Sequence, residues 1–261
     1  MTAPPDIDEA SHPPAHARTR AHRWSVTGIL GELLILAGLL LGLFVVWQLF
    51  YTDVQGDREQ KAIVESLEWA EPPAQVDTEN IQVIPDDLKV TDRDPDTRPS
   101  PGNTETFATM MVPRWGQDYV KPISEGVSRP EVLDPLGIGH YPEAAMPGEA
   151  GNFALAGHRT TYGKPFRQVD ILEVGDKLIV QTADIWAVYS VTDWEIVQPN
   201  EYDVIAPTPR DLEAGVTDRF ITLTTCHPLY SVAERWIVYG ELDYWAPTGH
   251  GVPAELLEVP Q

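Results

Sequence analysis

The sequence predicts an all-β domain, closed or nearly closed into a barrel, behind an N-terminal transmembrane helix and a linker. Three observations carry this expectation. After residue 107 the chain breaks into short runs rich in Val, Ile, Thr, Tyr, Phe and Trp, most bounded by Pro, Gly, Asp or Asn. Helical periodicity is weak there, apart from short possibilities at 130–133 and 165–171. Near the N-terminus, one apolar stretch is long enough to cross a hydrocarbon layer of about 30 Å.

Residues 1–28 form a tail that carries Arg18, Arg20 and Arg23 just ahead of that stretch. Residues 29–51 are the predicted span, and from 33 to 51 only Gln48 interrupts its apolar character. Trp47 and Tyr51 lie near its outer end, where aromatic rings suit the interface; Asp53, Asp57 and Glu59 follow. The positive-inside rule makes the tail cytoplasmic and puts everything beyond about residue 52 outside. The run Val45-Val46-Trp47-Gln48-Leu49 lacks the small residues of a cleavage site, so the span is expected to stay as a signal anchor.

Residues 52–106 are expected to be a juxtamembrane segment and an acidic, Pro-rich linker. Residues 53–69 are compatible with a helix continuing from the membrane, and 71–106 are rich in Pro, Asp and Thr. Ile81, Val83, Ile84, Leu88 and Val90 are too sparse for a core of their own, so this part reads as a solvated spacer. If flexible, about 50 such residues would reach about 40 Å.

Residues 107–261 are the expected folded, extracellular domain. Candidate strands are 109–112, 137–140, 153–156, 177–181, 187–192, 220–225 and 236–242. Many short strands with Pro-bearing connections suit a barrel. At 261 residues with 43% hydrophobic content the chain can build a real core. Its net charge of -22 removes electrostatic support for phosphate-backbone binding, so nucleic acid is excluded as a partner.

The chemistry centres on Cys226, the one cysteine, in the run Thr222-Leu223-Thr224-Thr225-Cys226-His227-Pro228. It cannot form an internal disulfide or a CxxC pair, which leaves a buried thiol, a crosslink to another chain or a nucleophile. Two groups would make it reactive. His158, in Ala156-Gly157-His158-Arg159, can exchange protons near neutral pH. Arg235 stays charged and can steady an oxyanion. His227 is the rival histidine, but neighbours on an extended segment point to opposite faces, so it should diverge from Cys226.

This constellation resembles the sortases, the membrane-tethered cysteine transpeptidases of Gram-positive bacteria, over roughly the last 150 residues. The resemblance implies the sortase-type closed β-barrel, with Cys226 as nucleophile, His158 as general acid or base and Arg235 as oxyanion stabiliser. Tyr141, Thr225 and His227 are the expected substrate contacts. The words Thr224-Thr225-Cys226-His227-Pro228 and Gly139-His140-Tyr141-Pro142 resemble class E, the housekeeping-type enzymes of high-GC species. The implied reaction cleaves a C-terminal Leu-Ala-x-Thr-Gly or Leu-Pro-x-Thr-Gly-like sorting signal between Thr and Gly through a thioester. It then joins the protein to the amine of a peptidoglycan precursor. Secreted proteins bearing such a signal, that amine and the cytoplasmic membrane are the implied partners, with no metal and no organic cofactor. Two other readings stand beside it: an inactive, scaffolding membrane-tethered β-domain, and an L,D-transpeptidase-like wall enzyme, whose Ser-His-Gly-Cys neighbourhood the chain does not match.

Overall fold

The computed structural model describes residues 25–70, 82–216 and 218–257, without the side chains of residues 48 and 49. Arg18, Arg20, Arg23 and Ile81, used above, lie outside these residues. The chain divides into two compact units, 1–46 and 47–261. A single helix, α1, Val26–Ser66, runs through both. Its apolar part has mean hydropathy 2.6 over the best window with none of that window buried, so it is long and apolar enough to cross a membrane.

The second unit is built on a closed barrel of eight strands: β1 Thr106–Met111, β2 Val120–Glu125, β3 Ile138–His140, β4 Gly151–Ala156, β5 Lys177–Thr182, β6 Ile185–Val197, β7 Arg219–His227 and β8 Glu234–Pro247. Around the barrel the order is β1-β2-β3-β4-β7-β8-β6-β5. The β2–β3 and β4–β7 neighbours are parallel and the other pairs antiparallel. Each strand sends alternate residues inward. Phe153, Leu155, Ile221, Leu223 and Val238 meet there in the main core.

The sequence reading missed β2, whose Lys121 and Pro122 argue against a strand. Pairing with β3 begins only at Ile123, so at Pro122 the strand has a neighbour on the β1 side alone and the absent N–H interrupts no ladder there. Strands β6 and β8 run longer than expected, because they pair with each other from Ile185↔Pro247 to Val197↔Arg235, across two bulges. The expected helical turn at 130–133 is a π-helical turn, Arg129–Leu133, and that at 165–171 shrinks to a 3₁₀ turn, Val169–Ile171.

The spacer expectation needs correcting over residues 82–105. Ile84 is buried in a second apolar cluster with Trp186, Tyr244, Val252 and Leu256, and Leu88 packs against it. Val90 bridges to Trp245, whose Nε1–H donates to the Arg93 carbonyl at 2.8 Å. Ile84 and Leu88 form no core of their own; they complete one on the barrel's outer face, while Val90 packs against the main core. This part of the chain is a strap.

Residues of α1 beyond 47 also pack on the barrel. Gln60 Nε2 donates to the Tyr162 carbonyl at 2.8 Å, Lys121 pairs with Asp57 at 2.5 Å, and Lys164 pairs with Asp53.

Candidate active site

Cys226 lies one residue from the end of β7. Because Ile221 and Leu223 point into the core, Thr222, Thr224 and Cys226 point outward. Arg235 is the residue directly opposite Cys226 in the β7–β8 ladder, so the two side chains leave the same face. Its guanidinium donates to the carbonyls of Val232 at 3.1 Å and Glu234 at 2.9 Å, which hold it on the β7–β8 turn.

His158 arrives from the parallel neighbour. Strand β4 pairs with β7 up to Ala156↔Thr224, and Thr225 Oγ1 donates to the Gly157 carbonyl at 2.7 Å. Continuing that register by two residues brings His158 level with Cys226. Gly157 is required for this approach, since a Cβ there would stand 2.7 Å from the Phe166 ring. The imidazole is mostly buried and Nε2 lies 2.6 Å from Asp134 Oδ1. A carboxylate only accepts, so Nε2 carries a proton and Nδ1 is left to exchange one. Burial holds the His158 pKa below its ordinary value; the Asp134 carboxylate opposes this and the Arg129 charge adds to it. The Tyr162 ring lies 5.3 Å away and covers the imidazole.

Tyr141, just after β3, donates or accepts through its hydroxyl at 3.1 Å from Thr224 Oγ1. It lines a cavity of about 480 Å³ with Asn152, Ile205, Pro207 and Val216. Those last three come from the β6–β7 connection, which Arg210 pins by pairing with Glu195, Glu201 and Asp203. Through Tyr141 the cavity adjoins Thr224, while Cys226, His158 and Arg235 are not among the residues that line it.

Two expected substrate contacts are placed elsewhere. Thr225 is only 3% exposed, and its hydroxyl is spent on Gly157. His227 lies on the face away from Cys226: its Nδ1 accepts from Arg159 Nη1 at 3.0 Å and its ring packs at 5.3 Å from Trp236. Arg159 in turn pairs with Asp170 and lies over Trp236. Alternation along β7 separates both residues from the thiol. Asp134 was missed. An Asp-Pro pair after a turn carries no sign that it meets a histidine 24 positions later. Among the described residues no group of three or more His, Cys, Asp and Glu is arranged to hold a metal ion.

The Sortase domain family matches residues 110–243, from within β1 to within β8, a stretch that includes Cys226, His158 and Arg235. The chain belongs to the sortase family. Sortase SrtE1 of Streptomyces coelicolor is 36% identical over 239 residues, 87% of this chain and 60% of SrtE1, so the chain spans less than two thirds of that relative. SrtE2 of the same organism is 32% identical, over 82% of this chain and 81% of SrtE2. Among solved structures, the SrtA sortase from Actinomyces oris is 42% identical with a TM-score of 0.60, covering 65% of this chain and 97% of that one. Sortase E1 from Streptomyces coelicolor, solved with a tripeptide in its active site, is 37% identical with a TM-score of 0.55, covering 60% and 99%. These relatives support class E, and with it the sortase barrel in place of an L,D-transpeptidase-like domain. Sortases are transpeptidases that act on sorting signals.

Proposed function

We propose that this sortase is a membrane-anchored transpeptidase in which Cys226 cleaves a Leu-Ala-x-Thr-Gly-like signal between Thr and Gly. The observation that carries the reading is the pairing of Cys226 with Arg235 on one outward face, with His158 at the end of the adjacent strand. The Cys226 proton passes to His158 Nδ1, and the sulfur forms a bond to the Thr carbonyl carbon. Arg235 stabilises the oxyanion that develops. The C–N bond to Gly then breaks as His158 returns the proton to the leaving amine, which leaves a thioester on Cys226. A peptidoglycan-precursor amine attacks that thioester, loses its proton to His158 and expels the thiol. Two acyl transfers replace one difficult exchange.

Burial of His158 favours its neutral form, the form that accepts the first proton, while Asp134 keeps the imidazolium attainable. The motif residues before the scissile bond run along the outward face, past Thr224 and Tyr141 toward the cavity. Residues 29–51 serve as the anchor, with the tail cytoplasmic and residues 107–261 outside as the catalytic domain. An intact Cys226, His158 and Arg235 set speaks against a purely scaffolding role.

The test is mass spectrometry of purified protein mixed with a Leu-Ala-x-Thr-Gly peptide and a primary amine. Wild type should accumulate an acyl adduct on Cys226 and release a peptide joined to the amine. Cys226→Ala should show neither. Peptide turnover by Cys226→Ala at the wild-type rate would end this reading.

A further inference from the structure

Between His158 and β5 the chain makes a loop that folds back on itself, with the Phe166 amide donating to the His158 carbonyl at 3.0 Å. Two of its non-glycine residues, Tyr162 and Lys164, hold φ of 55° and 33°. Backbone of this kind persists only where the surroundings over-determine it. Tyr162 is also the residue whose ring covers the His158 imidazole, 5.3 Å away. Whatever fixes Tyr162 therefore bears on His158.

That support comes from α1. Its buried positions Gly56, Gln60 and Val64 recur every four residues, with Asp53 half-buried three residues earlier, so one face of the helix lies against the barrel. The Gly56 backbone rests directly on the loop: a Cβ there would stand 2.6 Å from the Tyr162 carbonyl carbon and 2.8 Å from the Gly163 nitrogen. Gln60 is fully buried. Its Nε2 donates to the Tyr162 carbonyl at 2.8 Å, while its Oε1 accepts from Lys121 Nζ of β2 at 3.0 Å. An amide whose two ends are satisfied on different elements has one orientation. Two residues further along the loop, Lys164 pairs with Asp53. Each of the two left-handed residues is thus held by an α1 side chain. Beside these contacts Gly56, Pro130, Asp134 and Tyr162 line a cavity of about 250 Å³, so a released Tyr162 ring has space to turn off the imidazole.

We propose that Gly56 and Gln60 of α1 are positioning residues for His158, acting through Tyr162. The inference rests on the assignment of His158 as the acid and base of the reaction. It makes the part of α1 beyond residue 47 a piece of the frame that holds the active site.

The test uses the full chain in detergent micelles. Gln60→Met keeps the length of the side chain and loses both hydrogen bonds, Gly56→Ala adds the Cβ, and Lys61→Gln is the control, an exposed position whose lysine pairs with Glu65. In Gln60→Met, kcat for a Leu-Ala-x-Thr-Gly peptide should fall roughly two- to tenfold, the scale of one lost hydrogen bond. KM should hold, since neither Gly56 nor Gln60 lines the cavity beside Tyr141. Histidine-labelled NMR titration should show the His158 pKa rising toward its ordinary value, because losing the cover relieves the burial that lowers it while the Asp134 and Arg129 charges stay in place. A variant that merely loosened Asp134 would lower it. Gly56→Ala should change kcat and the titration in the same directions, and Lys61→Gln should match wild type. An unmoved titration in Gln60→Met, whether or not kcat falls, would overturn the positioning role. If wild type turns over no peptide, the transpeptidase reading falls, while a raised His158 pKa in Gln60→Met would still support the contact through Tyr162.

Discussion

Asp134→Asn removes one charge and almost no volume at the bond that sets the His158 tautomer. In the structure Nε2 lies 2.6 Å from Asp134 Oδ1, with the two side chains 13% and 23% exposed. A hydrogen bond to a charged partner contributes about 1.5–3 kcal/mol, and partial exposure places this one near the lower end, about 1.5–2 kcal/mol. Losing this bond, which favours the charged form, lowers the pKa of the histidine. The sign follows from the contributions: burial and Arg129 already push this pKa down, and Asp134 is what pushes it up. Without the carboxylate, the limb of the pH–rate profile that belongs to the imidazole should move to lower pH. Turnover at neutral pH should drop about tenfold or more, since less imidazolium is available to protonate the leaving amine. KM should change little, as Asp134 does not line the groove. The assay is kcat and KM for a Leu-Ala-x-Thr-Gly peptide from pH 5 to 9, with imidazole nitrogen shifts by NMR to report the tautomer. A normal turnover, an unmoved limb and an unchanged tautomer would refute the positioning role. Lost activity with an unmoved limb would mean that Asp134 merely holds the loop.

Three further expectations concern the same site and its anchor. His158→Ala should cut turnover by orders of magnitude at near-native stability, while His227→Ala should retain much more, since His227 lies on the other face of β7; peptide kinetics with thermal unfolding decides, and an exchange of these behaviours would reverse the assignment. Tyr141→Phe removes the hydroxyl 3.1 Å from Thr224 Oγ1 and should narrow the preference for Leu-Ala-x-Thr-Gly over Leu-Pro-x-Thr-Gly in a competition assay, by roughly tenfold if the hydroxyl meets the alanine N–H in a desolvated groove. An unchanged preference would remove Tyr141 from recognition, and equal use of the two peptides by wild type would argue against the Leu-Ala-x-Thr-Gly specificity. On intact cells, external protease should remove residues 107–261 and leave a small membrane-bound fragment; protection of that domain would overturn the proposed orientation.

The side chains proposed to react are read from short words of the sequence. Cys226 ends a β-prone run, His158 follows a glycine that only a close helix-free approach requires, and Arg235 opens the next strand. Period-two alternation also separated His227 from Cys226, as the β7–β8 register has it. Strand β2 was hidden by Pro122, and its place depends on a partner missing on one side at that residue. Thr225 stands beside the thiol in sequence, yet the alternation that set His227 aside turns it inward as well.

What the chain determined by itself is whatever depends on neighbours in sequence: the apolar span, the alternating strands, the turn residues between them, and the short words from which the thiol, imidazole and guanidinium are proposed. What only the tertiary structure decided is what depends on closure of the barrel. Closure brings β4 beside β7 although 62 residues separate the end of one from the start of the other, and it sets Asp134 against His158. It also turns a sparse acidic segment into a strap, because Ile84, Leu88 and Val90 find their apolar partners on β6, β8 and the C-terminal segment rather than near themselves. A local pattern records which face a residue prefers to bury. The surface it meets there is made by strands distant in sequence, and becomes available only once the sheet has closed.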